Sequence, residues 1–281
     1  MLPEARGGIL CARLKPAPAR TYPWVMIPRP QPAARVRLIG FPHAGGGASS
    51  YFAWGAGLAG AGVEMRTVQY PGRETRFAEP CISEAPRLVE AIVAAWPQIT
   101  GPGPFALFGH SMGAVLAYEI AAELARRGAK QPVHLFVSGH QAPALPYRAP
   151  QLRAWADEAL VPAVARIFGG IPAELQENPD LAALVRPILR ADLTLVETYT
   201  WHPKPPLPVA ISALGGVDDP WATASEMEAW RDFTVGEFRL RRYPGDHFFL
   251  PSNREQVWAD VLRDLAGEAP EPVASQLDVT T

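Results

Sequence analysis

Cysteine and long apolar runs are scarce in this 281-residue chain, and each scarcity excludes a class of protein. Two cysteines, Cys11 and Cys81, cannot build a disulfide framework or a cysteine-rich zinc site. No stretch approaches the roughly 18 uncharged apolar residues of a membrane span. The apolar stretch near the start, residues 7–12, is shorter than the ~7–15 residue core of a secretory signal. We therefore expect a soluble, cytoplasmic protein with no metal site and no membrane partner.

A surplus of basic charge is missing as well. The formal net charge is −2 at pH 7, whereas proteins that bind nucleic acids usually carry an excess of lysine and arginine. Hydrophobic residues make up 48% of the chain and charged residues 19%, which allows a sizeable buried core. Since no separate apolar interface pattern is visible, we expect a monomer without a nucleic-acid partner.

The two ends of the chain lack the pattern of a folded domain. Residues 1–33 are rich in proline, arginine and alanine without periodicity, which predicts a partly disordered N-terminal arm. Residues 267–281 are polar with two prolines and predict a flexible tail. The segment 34–266 remains as the folded domain.

Within that domain, short apolar runs alternate with longer helical patterns. The apolar runs predict strands at 36–41, 65–70, 105–108, 134–137, 209–214 and 238–243. Helical spacing predicts helices at 51–58, 83–96, 112–127, 225–233 and 253–265, with Ser83 as an N-cap and Pro97 as a stop. This alternation predicts an α/β fold: a mostly parallel sheet with helices on both faces.

One long segment breaks the alternation. Residues 141–202 contain helical patterns rich in alanine, leucine and arginine, and no convincing strand. Long insertions in sheet folds are usually functional, so residues from about 143 to 200 predict a helical lid over a site. The alternative is a set of surface helices without a functional role.

A candidate nucleophile stands between a strand and a helix. The motif GHSMG at 109–113 matches the G-x-S-x-G nucleophile elbow of the α/β-hydrolase fold, with Ser111 as its serine. The flanking glycines permit a sharp turn, and the serine lies at the positive end of the following helix. A chance glycine-rich turn is the alternative, but the strand and helix on either side favour the elbow.

A serine hydroxyl needs a base, and the base needs an acid to orient it. Among six histidines, His247 lies between the last strand and the last helix, which satisfies the Ser…Asp…His order of this fold. The acid is expected after the strand at 209–214, where Asp218 and Asp219 are adjacent. We favour Asp219 because Pro220 fixes the backbone beyond it, with Asp218 as the alternative, and we interpret Asp246 as a turn residue.

Acyl transfer also requires donors for an oxyanion. One should be the backbone N–H of Met112, directly after the nucleophile, and the other should come from the glycine-rich loop at 41–47. That loop lacks both the P-loop pattern and the dinucleotide-binding glycine spacing, so a nucleotide site is not predicted.

The motifs together resemble a known family. They are FPHAGGG at 41–47, YPGR at 70–73, GHSMG at 109–113, GGVDDP at 215–220 and PGDHFFL at 244–250. This set is similar to the type II thioesterases, the stand-alone editing enzymes of polyketide and nonribosomal peptide biosynthesis. The likeness runs from about Trp24 to Leu265, and the leader before Trp24 departs from the family's usual length.

The resemblance implies a role for each matching residue. Ser111 would be the nucleophile, His247 the base and Asp219 the acid, and the amides of Ala44 and Met112 would form the oxyanion hole. The substrate would be an acyl thioester on the phosphopantetheine arm of an acyl or peptidyl carrier protein, removed when it is aberrant or stalled. The chain itself would need no cofactor, because a thiol with a pKa of about 8.5 leaves without much acid assistance.

Three points stay open at the level of sequence. Arg73 and Arg76 could contact the carrier or the pantetheine phosphate, or they could be a solvated surface pair. A general carboxylesterase or lipase would use the same machinery on alcohol esters. A carrier-binding protein without activity is also conceivable, although the complete set of serine, aspartate and histidine argues against it.

Overall fold

A single sheet of eight strands runs through the part of the chain that the computed structural model describes, residues 20–267. The strands are β1 Arg20–Tyr22, β2 Val25–Ile27, β3 Val36–Phe41, β4 Val63–Val68, β5 Phe105–His110, β6 Leu135–Ser138, β7 Ile211–Gly216 and β8 Phe238–Tyr243. Their spatial order is β1-β2-β4-β3-β5-β6-β7-β8. The strands from β4 to β8 in this order are parallel, whereas β1 and β2 pair antiparallel at one edge. The predicted mostly parallel sheet is confirmed.

Helices cover both faces of this sheet, and three more stand apart from it. They are α1 Phe52–Gly57, α2 Ala85–Ala94, α3 Trp96–Thr100, α4 Met112–Arg126, α5 Asp157–Ile167, α6 Ala173–Glu177, α7 Pro179–Thr198, α8 Ala224–Glu228 and α9 Arg254–Ala266. Side chains of α1 and α9 join the apolar core on one face, and those of α2, α3, α4 and α8 join the core on the other. Helices α5 and α7 form a third apolar cluster of their own. None of the helices described has the length and hydropathy to span a bilayer.

The two cores follow from the period of two along each strand. In β5, Leu107 faces the α4 side while Phe108 faces the α1 and α9 side. In β6, Val137 likewise faces the α4 side and Phe136 the α1 and α9 side. Because both faces are covered, these strands are apolar throughout, which is why the sequence shows them as unbroken apolar runs.

The prediction of an N-terminal arm over residues 1–33 is wrong for its second half. Residues 20–22 and 25–27 form β1 and β2, and β2 pairs with β4 in the register Val25 with Val68. Val25 is fully buried, so this short run is part of the core rather than an arm. Its apolar stretch is too short, and too closely flanked by prolines, to stand out in the sequence. Residues 1–19 of the predicted arm and 268–281 of the predicted tail lie outside the described residues.

The boundaries around α2 also differ from the prediction. The helix begins at Ala85 after Glu84, so the prediction of Ser83 as its N-cap is wrong. Pro97 does not end a helix but occupies the first turn of α3. A proline is tolerated there because the first turn has no intrahelical acceptor for its N–H.

A polar network joins α9 to the sheet, away from the carboxyl edge of the strands. The Asp264 carboxylate, which is buried, accepts hydrogen bonds from the Ser212 hydroxyl at 2.6 Å and from the guanidinium groups of Arg239 and Arg241 at 2.6–2.9 Å. The Ser212 hydroxyl also lies 2.9 Å from His134 Nε2. Ser212, His134 and Asp264 thus form a group of the same three residue types as the predicted triad. This group is buried between the sheet and α9, and its role is structural.

Removing the charge at Asp264 should destabilise the fold strongly. We expect Asp264→Asn to lower the free energy of unfolding by about 3 kcal/mol, because two arginines lose a buried partner. The matched control is Glu237→Gln, which removes the exposed partner of Arg239 and should cost under about 0.5 kcal/mol. Urea denaturation of both variants measures the difference, and equal losses would contradict this role for the network.

Acid should weaken the fold through His134. Burial lowers the pKa of His134 from 6.5 to about 4, so between these values the unfolded chain binds a proton that the folded chain does not. Its contribution to stability is complete above pH 6.5 and is lost as the pH falls towards 4. We expect the gap in unfolding free energy between wild type and His134→Gln to narrow from about pH 7 to about pH 5. A gap that is independent of pH in urea denaturation would contradict this.

Candidate active site

The backbone at Ser111 is held in a strained turn between β5 and α4. Its φ of 54° and ψ of −119° lie outside the regions that a residue with a side chain prefers. A Cβ on Gly109 would approach the Gly113 carbonyl oxygen to 2.0 Å, and a Cβ on Gly113 would approach that of Phe41 to 1.9 Å. Both glycines of the motif are therefore required by close backbone packing. The turn exposes the Ser111 hydroxyl to a pocket at the carboxyl edge of the sheet.

Three side chains from separate loops meet at this hydroxyl. The imidazole of His247 lies with Nε2 3.0 Å from Ser111 Oγ and with Nδ1 2.8 Å from Asp219 Oδ2. An ionised carboxylate can only accept, so Nδ1–H donates to Asp219 and Nε2 is left to accept from the serine. Asp219 and His247 are buried, and the Trp221 N–H donates to the second oxygen of Asp219 at 2.9 Å. The structure thus brings all three predicted residues into the arrangement of a hydrolase triad.

The three aspartates considered in the sequence, Asp218, Asp219 and Asp246, have different surroundings in the structure. Asp219 is buried against His247, while Asp218 is exposed and its N–H donates to the Gly245 carbonyl. Asp246 is exposed, and its carboxylate accepts from the Phe248 N–H at 2.9 Å, which is a local turn. Only Asp219 is therefore placed to orient the imidazole.

Three further histidines surround His247, and no role was predicted for their side chains. His43 and His140 line the pocket, and His110 is buried with Nδ1 2.9 Å from Ser138 Oγ. Burial and the nearby His247 lower the pKa of His43 from 6.5 to about 4 and that of His110 well below its usual range. Burial likewise lowers the pKa of His140 to about 4. These imidazoles are neutral at pH 7 and place no competing cation beside the base.

His140 could have been predicted as a site residue from its position in the chain. It closely follows β6, and binding sites in α/β folds lie at the carboxyl edge of the parallel sheet. His43 lies in the loop after β3, which was predicted to contribute a backbone donor but no side chain. Within residues 20–267, no cluster of three or more histidine, cysteine or acidic side chains is placed to hold a metal ion.

The glycine-rich loop after β3 forms a tight turn beside Ser111. The Gly46 N–H donates to the His43 carbonyl at 2.9 Å, and Gly45 has a φ of +78°. Those features identify a type II β-turn with Ala44 and Gly45 at its centre, where a positive φ at the third position favours glycine. Ala44 lines the pocket, and neither its N–H nor that of Met112 donates to another group in the described part of the chain. Both amides are thus available to a bound oxyanion.

The sequence leaves open whether Arg73 and Arg76 contact a carrier or a phosphate, or form a solvated surface pair, and the structure contradicts both alternatives. Both arginines are buried. Arg76 pairs with Glu79, and its guanidinium lies 3.9 Å from the centre of the Trp24 ring. Arg73 forms a two-pronged ion pair with Asp192 of α7, at 2.6 and 2.8 Å. The partners of Arg73 and Arg76 in space could not be seen in the sequence, where an arginine after a strand and a turn is typical of a surface loop.

The helices of the predicted lid form one wall of the pocket. Val164 and Phe168, from α5 and its end, line the pocket together with Leu189, Leu193 and Val196 of α7. The opposite wall holds the site itself, with Ser111, His247, Ala44 and Trp221. The cavity volume is about 60 Å³, enough for only a few waters or a very short acyl group. The pocket is partly open to solvent, so a longer acyl chain would extend beyond this volume.

Comparisons with known proteins agree with this geometry. A family model described as a thioesterase domain matches residues 36–265. The chain belongs to the thioesterase family. Thioesterase PikA5 of Streptomyces venezuelae is 39% identical over 245 residues, which cover 86% of this chain and 84% of that protein. GrsT, a gramicidin S biosynthesis protein of Aneurinibacillus migulanus, is 36% identical, and the match covers 83% and 90% of the two chains.

Solved structures show the same relationship in three dimensions. The RedJ thioesterase, from the prodiginine biosynthetic pathway in Streptomyces coelicolor, is 42% identical with a TM-score of 0.76, and the match covers 83% of this chain and 91% of that one. The type II thioesterase BorB, from the borrelidin biosynthetic cluster, is 35% identical with a TM-score of 0.78, covering 86% and 97%. The predicted resemblance to type II thioesterases is therefore confirmed, and so are the α/β-hydrolase fold and the class of enzyme, a thioesterase.

The strain at Ser111 gives a prediction about the stability of this thioesterase. Glycine tolerates the observed backbone angles, whereas alanine retains the strain. We expect Ser111→Gly to be more stable than Ser111→Ala by about 1 kcal/mol, in spite of the larger chain entropy of glycine. Thermal or urea unfolding of the two inactive variants measures this, and an alanine variant at least as stable as the glycine variant would show that the turn is unstrained.

Proposed function

We propose that this thioesterase hydrolyses acyl groups from the phosphopantetheine arm of an acyl or peptidyl carrier protein, through an acyl-enzyme on Ser111. The observation that carries the proposal is the hydrogen-bonded chain from Ser111 through His247 to Asp219, at the floor of an apolar pocket under helices. Serine, base and acid are the groups that acyl transfer requires, and the apolar wall suits an acyl chain.

The geometry supports a two-step mechanism. His247 Nε2 removes the proton from Ser111 as the oxygen attacks the thioester carbonyl, and Asp219 stabilises the imidazolium that forms. The amides of Ala44 and Met112 hold the oxyanion of the tetrahedral intermediate. The C–S bond then breaks as the His247 imidazolium gives its proton to the leaving thiolate. The neutral His247 next removes a proton from the water that attacks the acyl-enzyme, and it returns this proton to Ser111 Oγ as the ester bond breaks. The products are the free thiol of the phosphopantetheine arm, the carboxylic acid of the acyl group and free Ser111.

A carrier-bound substrate is favoured by the relatives and by the shape of the site. BorB belongs to a borrelidin cluster, RedJ to a prodiginine pathway and GrsT to gramicidin S biosynthesis. A site that lies under a lid at the edge of the sheet suits a long, thin arm that delivers its acyl end from a separate protein. Removal of stalled or aberrant acyl groups is the role that we assign to such a stand-alone hydrolase. Its monomeric state and cytoplasmic location stay predictions.

The neighbouring aspartates provide a matched pair of variants for the proposed mechanism. Asp219→Asn removes the carboxylate that orients His247 and should lower kcat by roughly 10³–10⁴-fold. Asp218→Asn, one residue away and exposed, should stay within about twofold of wild type. The assay follows release of free acid from a propionyl- or butyryl-loaded carrier protein, with Ser111→Ala as the inactive reference.

The same assay separates a carrier thioesterase from a general esterase. The wild-type enzyme should turn over the acyl-carrier protein with a higher kcat/KM than the ethyl or p-nitrophenyl ester of the same acyl group. Faster hydrolysis of the simple esters would favour the esterase. Activity of Ser111→Ala equal to wild type would overturn the role of the triad.

A further inference from the structure

A buried ion pair connects the lid to the turn beside the nucleophile. Asp192 of α7 is fully buried, and its two carboxylate oxygens accept hydrogen bonds from the guanidinium of Arg73. The oxygen at 2.6 Å from Arg73 also accepts from the backbone N–H of Gly45, at 2.7 Å. Arg73 in turn donates to the Gly46 carbonyl at 3.1 Å. One carboxylate and one guanidinium thus hold two peptide groups of this loop, the one that joins Ala44 to Gly45 and the one that joins Gly46 to Gly47.

The hydrogen bond from the Gly45 N–H to Asp192 determines the type of the β-turn. Type I and type II turns differ by a flip of the central peptide, which here joins Ala44 to Gly45. The carboxylate fixes the N–H side of that peptide, in agreement with the positive φ of Gly45. A Cβ on Gly45 would lie 2.6 Å from a Leu189 methyl group, so α7 packs directly on the turn. The turn is therefore defined by a residue of the lid.

The loop after β4 holds the same segment from the other side. Glu74, with a φ of +47°, accepts from the N–H and the hydroxyl of Ser49 at 3.1 and 2.6 Å. A Cβ on Gly47 would meet this carboxylate at 2.2 Å.

Burial alone would lower the pKa of Arg73, but the charge of Asp192 raises it above its ordinary value. Arg73 is thus a permanent cation, paired where water does not reach it.

We propose that Asp192 is a positioning residue of the acyl-transfer reaction, which with Arg73 holds the Ala44 amide in place for the oxyanion. This inference rests on the proposed function, since it assumes that the Ala44 N–H binds a tetrahedral intermediate. Asp192 belongs to the lid and lies 119 positions from Arg73 in the chain. It does not line the pocket, so it would act through the turn. Preorganised donors lose much of their effect when displaced by a fraction of an ångström to one ångström.

A single substitution tests the effect on rate. Asp192→Asn is nearly isosteric, but its amide group presents a donor either to Arg73 or to the Gly45 N–H. We expect kcat to fall by roughly 10- to 100-fold, with KM within about threefold of wild type, because the interaction is made in the transition state. The pH dependence of kcat/KM should keep its inflection, since His247 and Asp219 are untouched. A merely structural defect would change KM and the inflection as well.

A double variant separates positioning from stability. Arg73→Met with Asp192→Leu removes both charges and fills the space with apolar side chains, which often restores the stability lost on removing one partner. We expect its Tm to recover most of the loss seen in Asp192→Leu alone, while kcat stays reduced by at least about 10-fold because the Gly45 N–H has no acceptor. Recovery of kcat together with Tm would overturn the proposal.

Glu197 provides a control on the same helix. Its buried carboxylate accepts from the Leu152 and Arg153 N–H groups and from the Arg153 guanidinium, but it does not contact the turn at 43–46. We expect Glu197→Gln to lower Tm with kcat within about threefold of wild type. A loss of kcat equal to that of Asp192→Asn would show that any damage to the lid has this effect, and would overturn the proposal.

A second readout keeps this test apart from the proposed function. The rate of phosphonylation of Ser111 by a fluorophosphonate requires the serine, its base and the oxyanion donors, but not a carrier protein. We expect the same order of rates: wild type and Glu197→Gln fast, Asp192→Asn and the double variant slow. If wild type failed to hydrolyse acyl-carrier proteins while this order held, the proposed substrate would be wrong and the role of Asp192 would stand.

Discussion

A very close backbone contact lies where α4 begins, against the end of β3. There Gly113 passes the carbonyl of Phe41 with no room for a single carbon atom. This contact fixes the angle at which the helix leaves the sheet, and hence the direction of the Ser111 hydroxyl. It also sets the distance from Met112 to the loop after β3, which supplies the opposing amide. The nucleophile and its oxyanion site are thus products of one packing constraint, and the strain at Ser111 is sustained by it.

The rest of the site follows from the parallel sheet. Strands that run in the same direction deliver their following loops to one edge, so Ser111 after β5, Asp219 after β7 and His247 after β8 meet although they lie far apart in the chain. These three could be predicted from sequence because the chemistry dictates their residue types and the fold dictates their order. The sequence favours Asp219 over Asp218 only through Pro220, whereas the burial of Asp219 against His247 and the exposure of Asp218 are visible only in the structure.

Other features had no pattern that a sequence could show. Arg73 and Asp192 are single charges separated by 119 residues, and nothing in either neighbourhood marks them as partners. β2 is three residues long, and its place in the sheet depends on pairing with β1 and β4 and on burial in the core. His140 lies beside the base because β6 ends next to β5, a fact of strand order rather than of motif. The periodicity of apolar residues predicts helices and strands, whereas contacts between distant loops leave no such pattern in the sequence.

The lid is not uniform along α7, and this has a consequence for how such enzymes diversify. The second half of the helix, from Ile188 onwards, is largely buried and contains Asp192, while the first half is mostly exposed and ends at Pro187, which cannot donate to the preceding turn. No residue of the exposed half lines the pocket. In the buried half, Asp192 and Leu189 contact the turn beside Ser111, so their exchange would alter that turn. New acyl preferences should therefore arise through exchanges of pocket-lining side chains away from the turn, such as Val164, Phe168 and Val196, while Asp192 and Leu189 are inherited unchanged.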